Sequence, residues 1–278
     1  MNKKTIIAID AMGGENAPAK NIEGLAIFLK KNKNKSDFFF NLYGDEILIR
    51  KELNKFKIDN SFYKIFHSTT TVSDEETPLT AIKNSKDSSM WNAINSQTEL
   101  NSDITLSAGN TGVLFVISRM LLKTIESVSK PALAGLWPNQ KNMNVVLDLG
   151  ANVDCDDKNL VDFSEMGAAL YKALFPDDTA RVALLNIGSE EIKGTENLKK
   201  AYSKLKEISK YGDFQFDGFI EGNKITNGHS NVIVTDGFTG NVALKTAEGT
   251  AKFIIDSLKF SLTETLLAKF SILFSYFA

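Results

Sequence analysis

The stretch Ile104-Thr-Leu-Ser-Ala-Gly-Asn-Thr-Gly-Val-Leu-Phe-Val-Ile-Ser118 predicts a strand, a loop and a helix in direct succession. Its first four residues are typical of a short buried strand. The loop Ser107-Ala-Gly-Asn-Thr-Gly112 follows, and an apolar helical pattern begins directly after it. Backbone N–H groups at the start of a helix can hold an anion. The stretch therefore predicts a strand that ends in an anion-binding loop.

The same alternation of strands and helices continues outward from this stretch in both directions. The predicted strands are Thr5–Ile9, Phe38–Tyr43, Phe62–Phe66, Ile104–Ser107, Val145–Leu149, Val182–Asn186 and Asn231–Thr235. The predicted helices are Asn21–Lys31, Pro78–Ser96, Gly112–Thr124, Leu160–Leu174 and Glu196–Tyr211. Such alternation favours a mostly parallel sheet that is covered by helices on both faces. We predict an α/β protein with a mostly parallel sheet, in a single domain that spans residues 1–278.

Composition excludes several classes of function. Hydrophobic residues make up 43% of the 278 residues, which is enough for a sizeable core. The formal net charge of -2 leaves no broad basic surface for nucleic acid. Cys155 is the only cysteine, so no disulfide can form within the chain, and a reducing cytoplasm is expected. The start, Met1–Asp10, lacks the long apolar region of a signal peptide, and no apolar run reaches the roughly 18 residues of a spanning helix.

Five loops combine glycine with small polar residues, and each follows a predicted strand. They are Asp10-Ala-Met-Gly-Gly-Glu-Asn-Ala-Pro18, Ser107-Ala-Gly-Asn-Thr-Gly112, Asp148-Leu-Gly-Ala-Asn-Val-Asp154, Asn186-Ile-Gly-Ser-Glu-Glu-Ile-Lys-Gly194 and Thr235-Asp-Gly-Phe-Thr-Gly-Asn241. Glycine lets a backbone approach a ligand closely, and ligands bind at the carboxyl ends of parallel strands. One such loop alone is equally a tight connection or a helix cap. Five at one edge of a sheet predict a shared phosphate-binding cleft.

Other catalytic motifs are missing from the sequence. No G-x-x-x-x-G-K-[ST] sequence occurs, and Gly13-Gly14 does not belong to a dinucleotide-binding G-x-G-x-x-G motif. The nucleophile motif G-x-S-x-G is also missing. His67 and His229 lie far apart without zinc-binding spacing, and we predict that they are structural or surface residues. Cys155 is predicted to be a packed side chain.

Six motifs, in order along the chain, resemble those of the PlsX-type phosphate acyltransferases. Besides the loop at Ser107–Gly112, they are Ile7-Ala-Ile-Asp-Ala-Met-Gly-Gly-Glu-Asn-Ala-Pro18, Lys130-Pro-Ala-Leu-Ala134, Leu149-Gly-Ala-Asn-Val-Asp-Cys155, Leu184-Leu-Asn-Ile-Gly-Ser-Glu-Glu-Ile-Lys-Gly194 and Thr235-Asp-Gly-Phe-Thr-Gly-Asn-Val-Ala-Leu-Lys245. Where the first motif reads Glu-Asn, the family more often has Asp-His. The resemblance runs from about Ile6 to about Gly249, and six ordered motifs are far more specific than one.

The resemblance implies a three-layer α/β/α fold related to isopropylmalate dehydrogenases and phosphotransacetylases, usually in a homodimer. It implies transfer of a long acyl group from acyl carrier protein to inorganic phosphate, which gives acyl phosphate for phospholipid synthesis. It implies no metal and no organic cofactor. The expected location is the cytoplasm, with peripheral contact to the inner face of the membrane. Lys193 and Asn241 match the residues regarded as catalytic in the family.

The roles expected of these residues follow from the reaction. Lys193 would neutralise phosphate or the developing oxyanion, and Asn241 would orient phosphate or the thioester carbonyl. The predicted phosphate- and substrate-binding residues are Gly13, Gly14, Ser107, Gly109, Asn110, Thr111, Gly112, Asn152, Gly188, Asp236, Gly237 and Gly240. The polar residues expected to support the loops are Asp10, Asn110, Asp148, Asn152 and Asp236.

The C-terminal part of the sequence departs from the family pattern. Family members usually continue for several dozen residues, whereas this sequence stops at Ala278, so we expect a truncated chain. Two alternatives to the acyl carrier protein-dependent enzyme stay open, and the missing tail bears on the second of them. One is a phosphotransacetylase-like enzyme that uses an acyl-coenzyme A. The other is an inactive relative that acts as a partner or a membrane scaffold.

An apolar helical face is predicted near the C-terminus. Leucine and phenylalanine recur at steps of three or four residues from Leu258 to Phe277. Such a face needs a cover, either by core or dimer packing or by insertion into a membrane surface. The residues predicted to make the membrane or dimer contact are Leu266, Leu267, Phe270 and Phe274.

Overall fold

The computed structural model describes residues 4–73, 80 and 85–263. The chain divides into two compact units, a first unit Met1–Glu126 and a second unit Ser127–Ala278. Each unit has its own β-sheet.

The first unit is built on a four-stranded parallel sheet in the order β3-β2-β1-β4. Its strands are β1 Thr5–Asp10, β2 Phe38–Gly44, β3 Tyr63–His67 and β4 Ile104–Ser107. Asp10 pairs with Tyr43 on one side and with Ser107 on the other. The loops that follow β1 and β4 therefore leave the sheet at the same edge.

Helices cover both faces of this sheet because successive strand residues point to opposite sides. The helices are α1 Ala19–Lys31, α2 Glu46–Phe56, α3 Ser89–Thr98 and α4 Thr111–Leu122. On one face, α1 buries Ile22 and Leu25 against Phe40 of β2. On the other face, Ala8 packs with Ala93 of α3. The three-layer arrangement of this unit follows from these two cores.

The second unit is built on a five-stranded sheet in the order β5-β6-β9-β7-β8. Its strands are β5 Gly135–Pro138, β6 Met143–Leu147, β7 Arg181–Leu185, β8 Gln215–Ile220 and β9 Val232–Val234. All neighbouring strands are parallel except β5, which pairs antiparallel with β6 at the edge. The carboxyl ends of β6, β7 and β9 meet at one edge, where three of the predicted loops begin.

This sheet is also covered on both faces. The helices are α5 Asp157–Leu174, α6 Glu196–Ile208 and α7 Gly237–Thr263. One core joins Phe163 of α5 and Leu205 of α6 to Leu184 of β7. The core on the opposite face joins Ile233 of β9 to Leu244 of α7.

The predicted α/β class and its parallel strands are confirmed, and all seven predicted strands are present. Two strands, β5 and β8, and the helix α2 were not predicted. The expectation of one sheet is wrong, because the described strands form two. The single domain over residues 1–278 stays a prediction. Within the described residues, no helix is both long enough and apolar enough to cross a bilayer.

Candidate functional site

The loops of the first unit are organised around the carboxylate of Asp10. This side chain is buried, and its Oδ2 accepts a hydrogen bond of 2.7 Å from Ser107 Oγ. Ser107 Oγ in turn accepts from the backbone N–H of Gly109 at 3.1 Å. Burial raises the pKa of Asp10, against the opposing effect of hydrogen bonds from Ser89, Ser107 and the nearby backbone. Asp10 thus joins the ends of β1 and β4, as predicted for a supporting residue.

Two glycines of this region are required by close packing. A Cβ on Gly13 would lie 2.5 Å from Asp10 Oδ2 and 2.9 Å from the nitrogen of Gly109. Gly14 has a φ of +87°, and a Cβ there would lie 2.6 Å from the carbonyl oxygen of Ala108. The two loops are therefore in backbone contact, and any larger residue would separate them.

The loop after β4 leads into the start of α4, as the opening stretch predicts. Asn110 caps this helix, because its Oδ1 accepts from the N–H of Val113 at 3.1 Å. Thr111 and Gly112 form the beginning of the first turn, where N–H groups have no partner within the helix. This start of α4 is the part of the first unit that is best suited to hold an anion.

Asp148 organises the loop after β6 in the second unit. It is fully buried, and Oδ1 accepts from the N–H groups of Leu133, Gly150 and Ala151. Its Oδ2 accepts from the N–H of Asn152 at 2.7 Å and from Asn152 Nδ2 at 2.8 Å. Because five donors occupy the carboxylate, Asp148 supports the loop and has no capacity left for a substrate.

The start of α7 packs directly on this loop. The N–H of Gly237 donates to the carbonyl oxygen of Asn152 at 2.7 Å. A Cβ on Gly240 would lie 1.9 Å from the carbonyl oxygen of Asp148. The side chain of Asn241 is exposed and lies next to Gly150, where an added Cβ would be 3.7 Å from its Oδ1.

Asp236 caps the same end of α7. Its Oδ1 accepts from the N–H of Thr239 at 2.8 Å, and its Oδ2 accepts from Thr239 Oγ1 at 2.9 Å. The side chain of Asn152 is directed inward, since its Nδ2 donates to the carbonyl oxygen of Pro131 as well as to Asp148. Both residues support loops in this structure, and their contact with a substrate stays a prediction.

Asn186 holds the loop that contains Lys193. It follows β7, is nearly buried, and donates from Nδ2 to the carbonyl oxygen of Lys193 at 3.1 Å. Gly194 has a φ of +92°, and a Cβ there would lie 2.6 Å from Asn186 Oδ1. The loop Asn186–Gly194 is therefore closed on itself by a side chain at its start.

The amine of Lys193 lies over Gly188. A Cβ on Gly188 would lie 2.9 Å from Lys193 Nζ, so a larger residue there would displace the amine from this position. Lys193 Nζ forms an ion pair of 2.9 Å with Glu190 Oε1, and the two side chains are 45% and 57% exposed. The Lys193 amine lowers the pKa of Glu190. Because both side chains are exposed, water screens this ion pair, and an anionic ligand can replace Glu190 at little cost.

The loops after β7 and β9 border one cavity of the second unit. Its volume is about 520 Å³, and its lining includes Asn186, Gly194 and Asp236. The cavity was not predicted. The structure also adds two threonines beside it, Thr195, which caps α6, and Thr239, which donates to the capping carboxylate of Asp236. The cap of α6 leaves a signal in the sequence, because Thr195 lies directly before the first residue of that helix.

The remaining polar candidates have structural positions. Burial raises the pKa of Cys155 to about 11, and the thiol packs beside the core of the second unit, as predicted. His67 Nδ1 accepts from the N–H of Glu46 at the start of α2. Within the described residues, no group of histidine, cysteine and carboxylate side chains could hold a metal ion. The predicted contact residues Leu266, Leu267, Phe270 and Phe274 lie outside the described residues.

A profile of the family described as "Fatty acid synthesis protein" matches residues 5–276. The chain is 53% identical to a protein of Pelagibacter ubique named phosphate acyltransferase, and the match covers 98% of this chain and 80% of that one. It is 40% identical to the phosphate acyltransferase of Maricaulis maris, over 95% of this chain and 74% of that one. The chain belongs to this family. The resemblance to PlsX-type phosphate acyltransferases is therefore confirmed, and the chain is an acyltransferase.

Two phosphotransacetylases are among the solved structures that are similar to this chain. The EutD phosphotransacetylase from Staphylococcus aureus has a TM-score of 0.64 at 15% identity, over 90% of this chain and 83% of that one. A phosphotransacetylase from Streptococcus pyogenes has a TM-score of 0.62 at 13% identity, over 90% and 82%. At this level of identity the likeness shows the fold alone. It confirms the predicted α/β/α fold related to phosphotransacetylases.

Proposed function

We propose that the enzyme transfers a long acyl group from acyl carrier protein to inorganic phosphate and thereby forms acyl phosphate for phospholipid synthesis. The observation that carries the proposal is the 53% identity, over 98% of the chain, to a protein named phosphate acyltransferase. That name specifies neither the acyl donor nor the pathway. The proposal that acyl carrier protein is the donor and that the product enters phospholipid synthesis rests on the six ordered motifs.

The proposed reaction is a simple acyl transfer. A phosphate oxygen attacks the thioester carbonyl carbon, a C–O bond forms, and the carbonyl oxygen becomes an oxyanion. The C–S bond then breaks, and the carrier's thiolate leaves and takes up a proton from water. Phosphate is already anionic near neutral pH, and a thiol with a pKa of about 8.5 is a good leaving group. The enzyme mainly has to position the reactants and stabilise the oxyanion, so it needs no activated nucleophile of its own.

Lys193 is proposed to bind the phosphate or the oxyanion. Its amine is half-exposed and already paired with a carboxylate, Glu190, at 2.9 Å. The site therefore accommodates an oxyanion at hydrogen-bond distance from Nζ. When phosphate binds, Lys193 would exchange Glu190 for it, and Glu190 would return to solvent.

Asn241 is proposed to orient the thioester carbonyl or the phosphate. The side chain is exposed beside Gly150, on a turn fixed by the contacts of Gly237 and Gly240 with the loop after β6. An amide can donate to an oxyanion and accept from a phosphate hydroxyl, so it suits either reactant. The glycine contacts hold the backbone of this turn in place, which supports a positioning function.

Binding of phosphate by backbone N–H groups of the glycine loops in the first unit stays a prediction. The start of α4 supplies such groups at Thr111 and Gly112. Asp10 supports these loops by accepting hydrogen bonds from Ser107 Oγ and from the N–H of Met12.

Association with a second copy and with a membrane belongs to the same proposal. The helix α7 exposes apolar side chains on much of its surface, among them Phe253, Leu258 and Phe260. Such a helix needs a cover. We expect a homodimer in the cytoplasm that makes peripheral contact with the inner face of the membrane.

The purified 278-residue chain provides the test. We would incubate it with palmitoyl acyl carrier protein and phosphate, and measure acyl phosphate by mass spectrometry together with the released carrier thiol. Palmitoyl-coenzyme A is the comparison donor, and EDTA tests the prediction that no metal is needed. We expect phosphate-dependent product with the carrier donor at undiminished rate in EDTA. Preference for the coenzyme A donor would favour the phosphotransacetylase-like alternative, and no product from either donor would favour the inactive relative.

A further inference from the structure

The cavity of the second unit lies at the carboxyl ends of β7, β8 and β9, where α6 and α7 begin. Its volume of about 520 Å³ lies within the range of about 300–1,000 Å³ that is typical of small-molecule sites. Asn186 and Gly194 line it, and these two residues enclose the loop that contains Lys193. The cavity therefore begins beside the proposed reaction site.

Most of the side chains that line the cavity are apolar. They come from the end of β7, the loop after it, α6 and α7, and they are Leu185, Ile187, Leu198, Val242 and Ala243. Ile187 and Val242 are exposed, so the cavity is open to solvent and can admit a chain from outside. Such a lining stabilises a bound ligand mainly by removing the ligand's apolar surface from water.

The polar side chains of the lining are already engaged within the protein. Thr195 Oγ1 accepts from the N–H of Leu198, and Asp236 accepts from the N–H and the hydroxyl of Thr239. Asn186 donates to the Lys193 carbonyl and accepts from the N–H of Ile187. A carrier's pantetheine arm contains amides that need hydrogen-bond partners, whereas an acyl chain needs none. The lining therefore suits a hydrocarbon chain better than a pantetheine arm.

We propose that this cavity binds the acyl chain of the substrate and sets the preference for chain length. The proposal rests on the proposed function and goes beyond it, because it assigns the chain to residues outside the reaction site. With the thioester carbonyl beside the Lys193 loop, the first methylenes lie along Asn186 and Gly194. The rest of the chain extends towards Leu198 and Val242.

A second cavity competes for this assignment. It lies in the first unit between α1, β1 and β4, has a volume of about 340 Å³, and includes Phe28, Leu106 and Ala108 in its lining. It is smaller, and its unit does not contain Lys193 or Asn241. We therefore assign the acyl chain to the cavity of the second unit and use the first as the control.

Each cavity contains a glycine that can be enlarged without a clash. An added Cβ on Gly222 in the second unit, or on Gly24 in the first, meets no protein atom within 4 Å. Neither glycine has a positive φ. The variants Gly222→Leu and Gly24→Leu thus place the same side chain in two different cavities. Each methylene that loses its burial weakens binding about fourfold.

The test compares kcat/KM for palmitoyl and butyryl acyl carrier protein. We expect Gly222→Leu to lower the ratio of palmitoyl to butyryl kcat/KM at least about tenfold, and Gly24→Leu to keep the wild-type ratio. Gly222→Ala should lower this ratio about fourfold. The alanine variant replaces the leucine variant in the test if circular dichroism shows that Gly222→Leu is not folded. An unchanged ratio in both Gly222 variants, or a loss in Gly24→Leu instead, would overturn the proposal.

Binding of a 16-carbon alkyl phosphonate, measured by calorimetry, separates this proposal from the proposed function. If the wild type forms no acyl phosphate, the proposed function fails. If that protein still binds the phosphonate and Gly222→Leu weakens binding at least about tenfold, the assignment of the cavity stands. If Gly222→Leu binds the phosphonate as the wild type does, the assignment is wrong.

Discussion

Lys193 is the residue whose replacement tests the proposed chemistry most directly. We predict that Lys193→Ala lowers the rate of acyl phosphate formation by about 10²–10³, because it removes one donor to the phosphate or the oxyanion. The fold should persist, since the Lys193–Glu190 pair is exposed and contributes little to stability. Product formation and thermal unfolding of the purified variant measure both parts.

Lys210→Ala is a matched control for this variant. Lys210 also forms an exposed ion pair with a glutamate three residues away, at 2.7 Å from Glu207 Oε1, but it lies just beyond the end of α6. We expect it to keep wild-type turnover. Near-wild-type turnover by Lys193→Ala would contradict a catalytic role, and equal losses in both variants would point to a general effect of charge.

Cys155 is predicted to be unreactive at neutral pH. Burial raises its pKa from 9.0 to about 11, so the thiolate at pH 8 should be about 100-fold scarcer than in the unfolded chain. Alkylation by iodoacetamide, followed by mass spectrometry with and without urea, measures the ratio. The raised pKa stabilises the fold below pH 9, and this contribution is lost between pH 9 and about pH 11. Equal alkylation rates in the two conditions would show that the thiol is accessible and ionises normally.

At the scale of elements, two glycines of α7 give opposite predictions for the same substitution. Gly240→Ala places a Cβ 1.9 Å from the backbone oxygen of Asp148, so it should lower the free energy of unfolding by about 3 kcal/mol or more. Gly249→Ala meets no atom within 4 Å and should raise it by about 0.5–1 kcal/mol through better helix propensity. Urea unfolding of both variants provides the measurement. A stable Gly240→Ala protein would mean that α7 does not pack on the loop after β6.

The sequence predicts those elements whose local pattern agrees with their final environment. The strands β1 and β9 read as apolar runs because they lie inside their sheets. The apolar run of β4 also predicted a buried strand, but β4 lies at the edge of its sheet, and Ile104 and Leu106 are exposed. The strand β5 has only four residues, includes Pro138, and lies at an edge, so it leaves little apolar pattern. The strand β8 is interrupted by Asp217 and by Gly218, whose φ is +86°. These two elements depend on neighbours that the local sequence does not specify.

The helix α2 was also not predicted, although the sequence contains the signals of a helix there. Asp45 caps it, its buried residues Ile49 and Leu53 are four apart, and Lys57 ends it in the left-handed conformation. The expected support by Asp148 was also readable from its place after a strand. The five donors to its carboxylate could not be predicted, because one of them, the N–H of Leu133, lies 15 residues earlier in the chain.

At the scale of the whole molecule, sequence motifs identified the family but not the arrangement of strands. Each predicted loop lies at the carboxyl end of its strand, as parallel sheets require. The sequence does not show which strands pair with one another. No residue of β4 or β6 indicates which strand lies beside it, so the division into two sheets could not be predicted. The cavity beside the Lys193 loop was likewise not predictable, because its lining comes from β7, α6 and α7 together.

The helix α7 gives the last prediction, which concerns association of the chain. It has 27 residues and is therefore about 40 Å long, and its exposed apolar residues include Phe253, Leu258 and Phe260. We predict that the exposed apolar surface of α7 around Phe253 forms the homodimer contact. In a two-fold dimer each substitution acts twice, so Phe253→Glu should weaken dimerisation about 100-fold or more. Analytical ultracentrifugation measures this, with Ile47→Glu, at an exposed apolar position of α2, as the control that keeps the dimer.

The residues predicted to touch the membrane test a separate interaction of the same chain. If Leu267 and Phe270 insert into the membrane surface, replacing both with glutamate removes two anchors worth about 1.5–3 kcal/mol each. The double variant should then stop sedimenting with liposomes and still form dimers, whereas Phe253→Glu should weaken the dimer directly. If the double variant becomes monomeric or aggregates, these two residues pack within the protein or the dimer. If the wild type never sediments with liposomes, the membrane contact is wrong, and the apolar surface of α7 needs only its second copy as a cover.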